Sequence, residues 1–167
     1  MARRVFYSFD YERDAVRVQQ VKNMGVLAGQ PILTSNRWEE VTGGTKRGIK
    51  KYIDQQMDGK SCVVVLIGKR TAEREWVQYE IKKAWDEGRG LVGVFIHNLA
   101  DMNRRQAAKG TNPFWQFTVG RRNKRLSTVA PVYDPPRTTS SGAYRWIEVN
   151  LPAMVEEGIR IRNEFSG

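Results

Sequence analysis

Residues 62–67 read CVVVLI, an unbroken apolar run made mostly of β-branched side chains. A run this short and this uniformly apolar is typical of a strand buried on both faces, as in a parallel sheet. Gly59 precedes the run and Gly68 follows it, and both glycines favour turns. The stretch therefore predicts an inner strand of a parallel sheet.

The chain on either side of this strand alternates between strand and helix signals. Further strands are predicted at 4–9, 31–34, 91–96 and 129–133, and helices at about 10–24, 45–57 and 71–88. The segment SNRWEEVTGGT, 35–45, has the composition of a loop. Strands that alternate with helices give parallel sheets with right-handed crossovers. We therefore expect an α/β fold, a flavodoxin-like doubly wound parallel sheet of five strands.

The length of 167 residues fits one domain with a sizeable core, so 1–167 is predicted to be a single domain. A long basic loop is expected at about 98–127. A helical stretch should begin near Gly142, and Pro152 suits the first turn of a separate C-terminal helix at about 152–164.

Composition limits the setting and the partners. The net charge of +10 favours anionic partners. Cys62 is the only cysteine, so no disulfide forms within the chain and a cytoplasmic location is expected. The N-terminal segment MARRVFYSF is neither a signal peptide nor a membrane anchor by its pattern, and no membrane partner is expected.

Several functions found on this architecture need residues that this chain does not have. A receiver domain needs a phosphate-accepting aspartate after the third strand, where this chain has Gly68 and Lys69. Flavodoxin needs a hydroxyl- and glycine-rich phosphate loop after the first strand, and SFDYERD, 8–14, is not one. One histidine and one cysteine do not make a usual zinc site, and no nucleophile elbow is present. We expect no metal and no cofactor.

One candidate site is left after these exclusions. It is a carboxylate near the edge of the sheet at which ligands are expected to bind. Ligands of doubly wound sheets bind beyond the carboxyl ends of the strands. In EWVQYEI, 75–81, Trp76 and Glu80 share one helix face, which can point to that edge. One carboxylate suffices to cleave an N-glycosidic bond with a cationic leaving group, such as nicotinamide in NAD⁺, because an anion stabilises the oxocarbenium ion. Aromatic walls and cations for such a substrate are available from Phe6, Phe9, Tyr11, Trp38 and Trp76, and from Arg17, Lys69 and Arg70.

The ordered set of motifs resembles the TIR-like proteins of bacterial Thoeris anti-phage defence. The similarity spans residue 3 to about 117 and rests on RVFYSFDY (4–11), VRVQQVKN (16–23), WEE (38–40), VVLIGKRTAEREWVQYEI (64–81), GVFIH (93–97) and GTNPF (110–114).

The resemblance implies a TIR fold and particular roles. Glu80 matches the catalytic glutamate of NAD⁺-cleaving TIR enzymes. Phe6, Ser8 and Tyr11 match positions on the nucleotide-binding edge, Trp38 lies in the loop that closes over substrate, and Asn112 matches a loop asparagine near the pocket. NAD⁺ is then the substrate. The enzyme is expected to cyclise or hydrolyse the ADP-ribose, and family members make a cyclic ADP-ribose isomer that is a diffusible signal for a separate effector protein. TIR enzymes often need a phage-derived trigger or assembly into a homo-oligomer.

Two other functions remain open at the level of sequence. A TIR-like chain can be a non-catalytic interaction module. Alternatively, the stretch 104–125 combines seven cations with aromatic residues and contains no acid, a pattern that can bind single-stranded nucleic acid.

Overall fold

The computed structural model describes residues 2–167 and contains one five-stranded parallel sheet with helices on both faces. The elements in chain order are β1 (Arg4–Ser8), α1 (Tyr11–Asn23), β2 (Ala28–Gly29), α2 (Ser35–Thr42), α3 (Lys46–Met57), β3 (Cys62–Ile67), α4 (Glu75–Asp86), β4 (Gly90–Phe95), β5 (Thr118–Val119), β6 (Lys124–Arg125), β7 (Val132–Tyr133) and α5 (Ser140–Glu164). The sheet order is β2-β1-β3-β4-β7, and β5 pairs only with β6, antiparallel. The predicted α/β, flavodoxin-like fold is confirmed.

The strand β3 lies at the centre of the molecule, and all six of its residues are buried. Its side chains alternate between two cores. Cys62, Val64 and Leu66 belong to the core that contains buried residues of α1 and α5. Val63 and Ile67 belong to the opposite core, with buried residues of α3 and α4. Because both faces are covered, the strand is apolar throughout rather than alternating.

The second strand lies earlier than predicted. It pairs with β1 over Ala28–Gly29, not over 31–34. The physical reason is Gln30, whose side-chain amide bonds both the backbone N–H and the carbonyl of Tyr7, at 2.8 and 2.7 Å. These bonds use the backbone groups of β1 that a longer second strand would pair with. Residues 31–34 therefore do not continue the sheet.

Residues 35–42 form the helix α2, so the prediction of a loop there was wrong. The Thr34 hydroxyl accepts a hydrogen bond from the Arg37 N–H and caps the helix. Gly43, at φ +67°, ends it in the left-handed conformation. The serine and asparagine that suggest a loop occupy the first helical turn, where they are tolerated near the cap.

Other boundaries shift. A short 3₁₀ helix covers 71–73, and the regular helix starts only at Glu75. The long segment after β4 carries a second 3₁₀ helix at 113–116, the hairpin of β5 and β6, and a third 3₁₀ helix at 126–128. The last helix is continuous from Ser140 to Glu164 and includes Pro152, where a break was expected. Within residues 2–167, no helix combines the length and apolar composition needed to cross a bilayer.

Candidate active site

A pocket of about 480 Å³ opens beyond the carboxyl ends of β1 and β2, between α2, α3 and α4. This is the edge at which doubly wound sheets bind ligands, and the volume is within the usual range for small-molecule sites. Its lining consists of Phe6, Tyr7, Phe9, Tyr11, Glu12, Gln30, Pro31, Ile32, Leu33, Trp38, Ile49, Tyr52, Ile53, Glu73, Arg74, Glu75, Trp76, Val77 and Glu80.

Glu80 lies in the wall of this pocket and is only 7% exposed. It is on the buried face of α4, one position before Ile81 and three after Val77, both of which pack in the core. The Ser8 hydroxyl at the end of β1 donates a 2.6 Å hydrogen bond to Glu80 Oε1. Within residues 2–167, this is the one hydrogen bond of the carboxyl group, so Oε2 is available to a ligand.

Burial changes the acidity of Glu80. Removal from water disfavours the charged form and raises the pKa of this carboxyl group to about 8, while the Ser8 hydrogen bond acts in the opposite direction. A carboxylic acid with a raised pKa that faces a cleft is a functional-site candidate on physical grounds.

An aromatic wall lines the same pocket as the carboxyl group. The rings of Tyr11 and Trp38 stack at 5.3 Å and 24°, and Trp38 meets Tyr52 edge-on at 5.3 Å. Phe9 extends the series, with its ring 6.1 Å from that of Tyr11. The hydroxyl of Tyr11 donates to the carbonyl of Leu33 and so holds the ring in place. Flat π surfaces of this kind stack well on heteroaromatic rings.

Acidic residues outnumber basic ones in the lining of the pocket. Its lining includes Glu12, Glu73, Glu75 and Glu80 but one cation, Arg74. The Arg74 guanidinium lies 3.2 Å from Glu12 and 3.5 Å from the buried Asp10. The Nε and Nη2 atoms make these pairs, so within residues 2–167 the Nη1 atom is without a carboxylate partner and can donate to an anionic ligand.

Most of the predicted site residues come together. Phe6, Phe9, Tyr11, Trp38, Trp76 and Glu80 line the pocket, and Ser8 bonds Glu80 directly behind it. Trp76 lines the pocket and also packs edge-on against Tyr79, with the two ring centroids 5.6 Å apart. Phe6 likewise belongs to the core as well as the pocket.

Arg17 was expected at the pocket, and the structure places it elsewhere. Its side chain is 5% exposed and pairs with Asp14 at 3.0 Å. It also donates to the carbonyls of Leu99 and Arg105, at 2.8 and 2.9 Å. These contacts attach α1 to the segment after β4, so Arg17 has a structural position.

Lys69 and Asn112 also lie outside the pocket lining. Lys69 is exposed after β3. The Asn112 side chain accepts a 2.9 Å hydrogen bond from the Phe114 N–H and caps the 3₁₀ helix at 113–116. Asparagine is common at such caps, and this bond accounts for its place here.

The sequence analysis did not predict the other lining residues, among them Arg74, Tyr52 and Gln30, which have polar side-chain groups. Arg74 could have been found, because it lies two positions before Trp76 at the start of the same helix. Tyr52 is on the helical face of α3 that includes Ile49 and Ile53 and looks like ordinary core. Gln30 gives no local signal, because its role depends on the edge of β1.

Two comparisons identify the family. The family model described as "Thoeris protein ThsB, TIR-like domain" matches residues 6–101, more than half of the chain. The chain belongs to the Thoeris ThsB TIR-like family. A relative from Bacillus cereus (strain MSX-D12), named "Putative cyclic ADP-D-ribose synthase ThsB1", is 33% identical over 120 residues. That alignment covers 68% of this chain and 62% of the relative, so the chain spans less than two thirds of the relative's length.

The matched region contains the whole pocket. All lining residues fall between Phe6 and Glu80, inside the span of the ThsB TIR-like domain. The hairpin of β5 and β6 and the helix α5 follow after that span. The match to the family model therefore covers the whole pocket.

Proposed function

We propose that this ThsB-family chain cleaves NAD⁺ between nicotinamide and ribose and closes the ADP-ribose on itself. The cyclic product is a diffusible signal that activates a separate effector protein in anti-phage defence. The observation that carries the proposal is Glu80, a single buried carboxyl group facing an aromatic pocket. The activity in the name of the Bacillus cereus relative points to the same reaction.

The first step breaks the bond between ribose C1′ and the pyridinium nitrogen. The bonding electrons leave with nicotinamide, which becomes neutral, so no acid is needed to protonate it. Positive charge develops at C1′, and a carboxylate at Glu80 stabilises it. The free Oε2 of Glu80 can also accept a hydrogen bond from a ribose hydroxyl.

The second step forms a bond from C1′ to another group of the same ADP-ribose. When that group is a hydroxyl, it loses one proton, which Glu80 accepts. The raised pKa of Glu80 makes the carboxylate a suitable base. A substrate stacked against Tyr11, Trp38 and Tyr52 displaces water from that side of the pocket, which favours cyclisation over hydrolysis.

Substrate charge and protonation are linked in this site. The nicotinamide ring of NAD⁺ is cationic, and a cation beside Glu80 lowers the pKa of its carboxyl group. NAD⁺ therefore favours the ionised form that the first step requires. Arg74 is the lining residue suited to the pyrophosphate, because it is the cation of the pocket and its Nη1 atom makes no ion pair within residues 2–167.

The test is nicotinamide release from NAD⁺, with products analysed by liquid chromatography and mass spectrometry. Glu80→Gln should lower the rate at least about a hundredfold, since it removes the charge that stabilises the transition state. Asp86→Asn is the matched control, because Asp86 is a carboxylate of the same helix, exposed and paired with Lys82. Equal rates for Glu80→Gln and wild type would refute the proposal.

The assay also covers activation. It is run over a range of protein concentrations, and in lysates of phage-challenged cells, because a homo-oligomer or a phage-derived trigger is proposed as the activating condition. A linear ADP-ribose product would reduce the proposal to NAD⁺ hydrolysis.

A further inference from the structure

The positive charge of the chain lies away from the pocket. The pocket lining has four glutamates and one arginine, whereas the chain has a net charge of +10. Residues 102–133 contain seven cations and no carboxylate: Arg104, Arg105, Lys109, Arg121, Arg122, Lys124 and Arg125. The NAD⁺ reaction leaves this charge unexplained.

Four of these cations are on an ordered hairpin, which we call the basic hairpin (118–125). Thr118 pairs with Arg125 and Val119 with Lys124. The turn is made by Gly120 at φ +75° and Asn123 at φ +50°. Val119 is buried in the core, and so is Leu126, which directly follows the hairpin. The basic hairpin is therefore a fixed part of the surface.

Three of the four cations of the basic hairpin have no side-chain hydrogen bond within residues 2–167, and the fourth, Arg125, bonds a backbone carbonyl but no carboxylate. Arg121, Arg122, Lys124 and Arg125 are exposed. Within residues 2–167, none of them forms an ion pair. Lys109, in contrast, is already paired with Asp134 at 2.8 Å. Unpaired like charges repel one another, and an anionic ligand relieves that repulsion.

A large aromatic side chain borders these cations. Trp115 is 50% exposed, on the 3₁₀ helix at 113–116. Arg125 Nη1 donates a 2.7 Å hydrogen bond to the Trp115 carbonyl. Its guanidinium carbon lies 5.8 Å from the centre of the indole ring. An exposed flat ring thus lies beside a cluster of cations.

We propose that Trp115 and the basic hairpin form a binding site for single-stranded nucleic acid. Phosphates would pair with the four cations, and an unpaired base would stack on the indole. An acidic peptide could pair with the four cations but has few flat rings to stack on the indole. A nucleic-acid duplex keeps its bases stacked on one another inside the helix. The exposed tryptophan favours a single strand over both. This binding function is separate from the proposed NAD⁺ reaction.

The direct test is fluorescence anisotropy with labelled dT20 and rU20, which separates DNA from RNA. Binding should weaken with salt, with a slope of log K against log salt of about −3 for four released counterions. Removing all four charges, in R121Q/R122Q/K124Q/R125Q, should abolish binding. The matched control is R47Q/K51Q/K82Q/R145Q, which removes the same charge from exposed positions elsewhere and should bind within about twofold of wild type.

Two further readouts decide the chemistry. Trp115→Ala should weaken binding at least about fivefold, because one base loses its stacking partner. Glu80→Gln should bind like wild type, so failure of the NAD⁺ reaction leaves this test intact. No binding by wild type at 50 mM salt, or equal loss in both quadruple variants, would overturn the proposal. So would undiminished binding by Trp115→Ala with full competition by heparin, which would show a general polyanion surface.

Discussion

The Ser8 hydroxyl donates a 2.6 Å hydrogen bond to Glu80 Oε1, and both side chains are buried. The two residues are 72 positions apart in the chain and meet because the end of β1 lies against α4. The bond orients the carboxyl group and favours its charged form, against the effect of burial. Ser8 is thus a positioning residue for Glu80.

Ser8→Ala should therefore impair Glu80 without removing it. Hydrogen bonds to charged groups contribute about 1.5–3 kcal/mol, so we expect at least a tenfold fall in kcat/KM for NAD⁺ at pH 7. The midpoint of the pH profile should move upwards. Ser8→Thr keeps the hydroxyl and should restore most of the rate; an unshifted pH midpoint in Ser8→Ala would contradict the positioning role.

The pH profile of the wild-type protein follows from the same carboxyl group. The pKa of Glu80 is raised by burial to about 8, and the ionised form is the active one. Hence kcat/KM, which reports the free enzyme, should rise about tenfold per pH unit below this value and level off above it. The midpoint for kcat should be lower, because bound NAD⁺ favours the carboxylate. A flat kcat/KM between pH 6 and 9 would count against Glu80 as the reacting group.

Glu80 should also make the stability of the protein depend on pH. The free energy of unfolding should fall as the pH rises, whereas kcat/KM should rise. The folded-state pKa lies above the ordinary value of 4.5, so the folded state holds this proton more tightly than the unfolded state. Its contribution to stability is complete below pH 4.5 and is lost as the pH rises through about 8. The glutamine of Glu80→Gln cannot ionise. The free energy of unfolding of this variant, relative to that of wild type, should therefore increase by at least about 2 kcal/mol from pH 5 to pH 8. Urea denaturation measures this gain, and Asp86→Asn should show none.

Local patterns were enough for the elements that position Glu80. The apolar run of β3 and the Trp76–Glu80 spacing each depend on residues close in sequence, and both are where they were predicted. The prediction of a loop at α2 was also wrong for a local reason. Its Thr34 cap and Gly43 end are helix signals, but their polar and glycine composition also suits a loop.

Long-range contacts decided what the sequence analysis missed. The second strand is displaced because Gln30 bonds Tyr7 across the sheet edge. Pro152 interrupts one backbone hydrogen bond, yet it is exposed, and the buried Leu151 and Val155 beside it hold the helix on the core. In most helices of folded proteins such packing, more than propensity, provides the stability. Tyr7 is distant in sequence from Gln30, and the residues of β3 and β4 that share a core cluster with α5 are distant from that helix.

Arg17 is predicted to stabilise the fold and not to bind substrate. Arg17→Ala leaves Asp14 buried without its cation and frees two carbonyls, so the free energy of unfolding should fall by about 3 kcal/mol. The KM for NAD⁺ of the remaining folded protein should be unchanged. Arg160→Ala is the control, because its side chain and those of its partners Glu157 and Glu164 are exposed, and it should leave the free energy of unfolding almost unchanged. A raised KM with full stability in Arg17→Ala would return this residue to the binding site.

Arg74 is predicted to recognise the pyrophosphate of NAD⁺. Arg74→Ala should raise the KM for NAD⁺ about tenfold, because the pocket loses its cation and keeps four glutamates. Nicotinamide riboside has the same scissile bond and no pyrophosphate, so its cleavage should be unaffected. Arg70→Ala is the control, since Arg70 pairs with Glu73 and is not part of the lining. Equal losses on both substrates in Arg74→Ala would assign Arg74 to the packing of the pocket rather than to the anion.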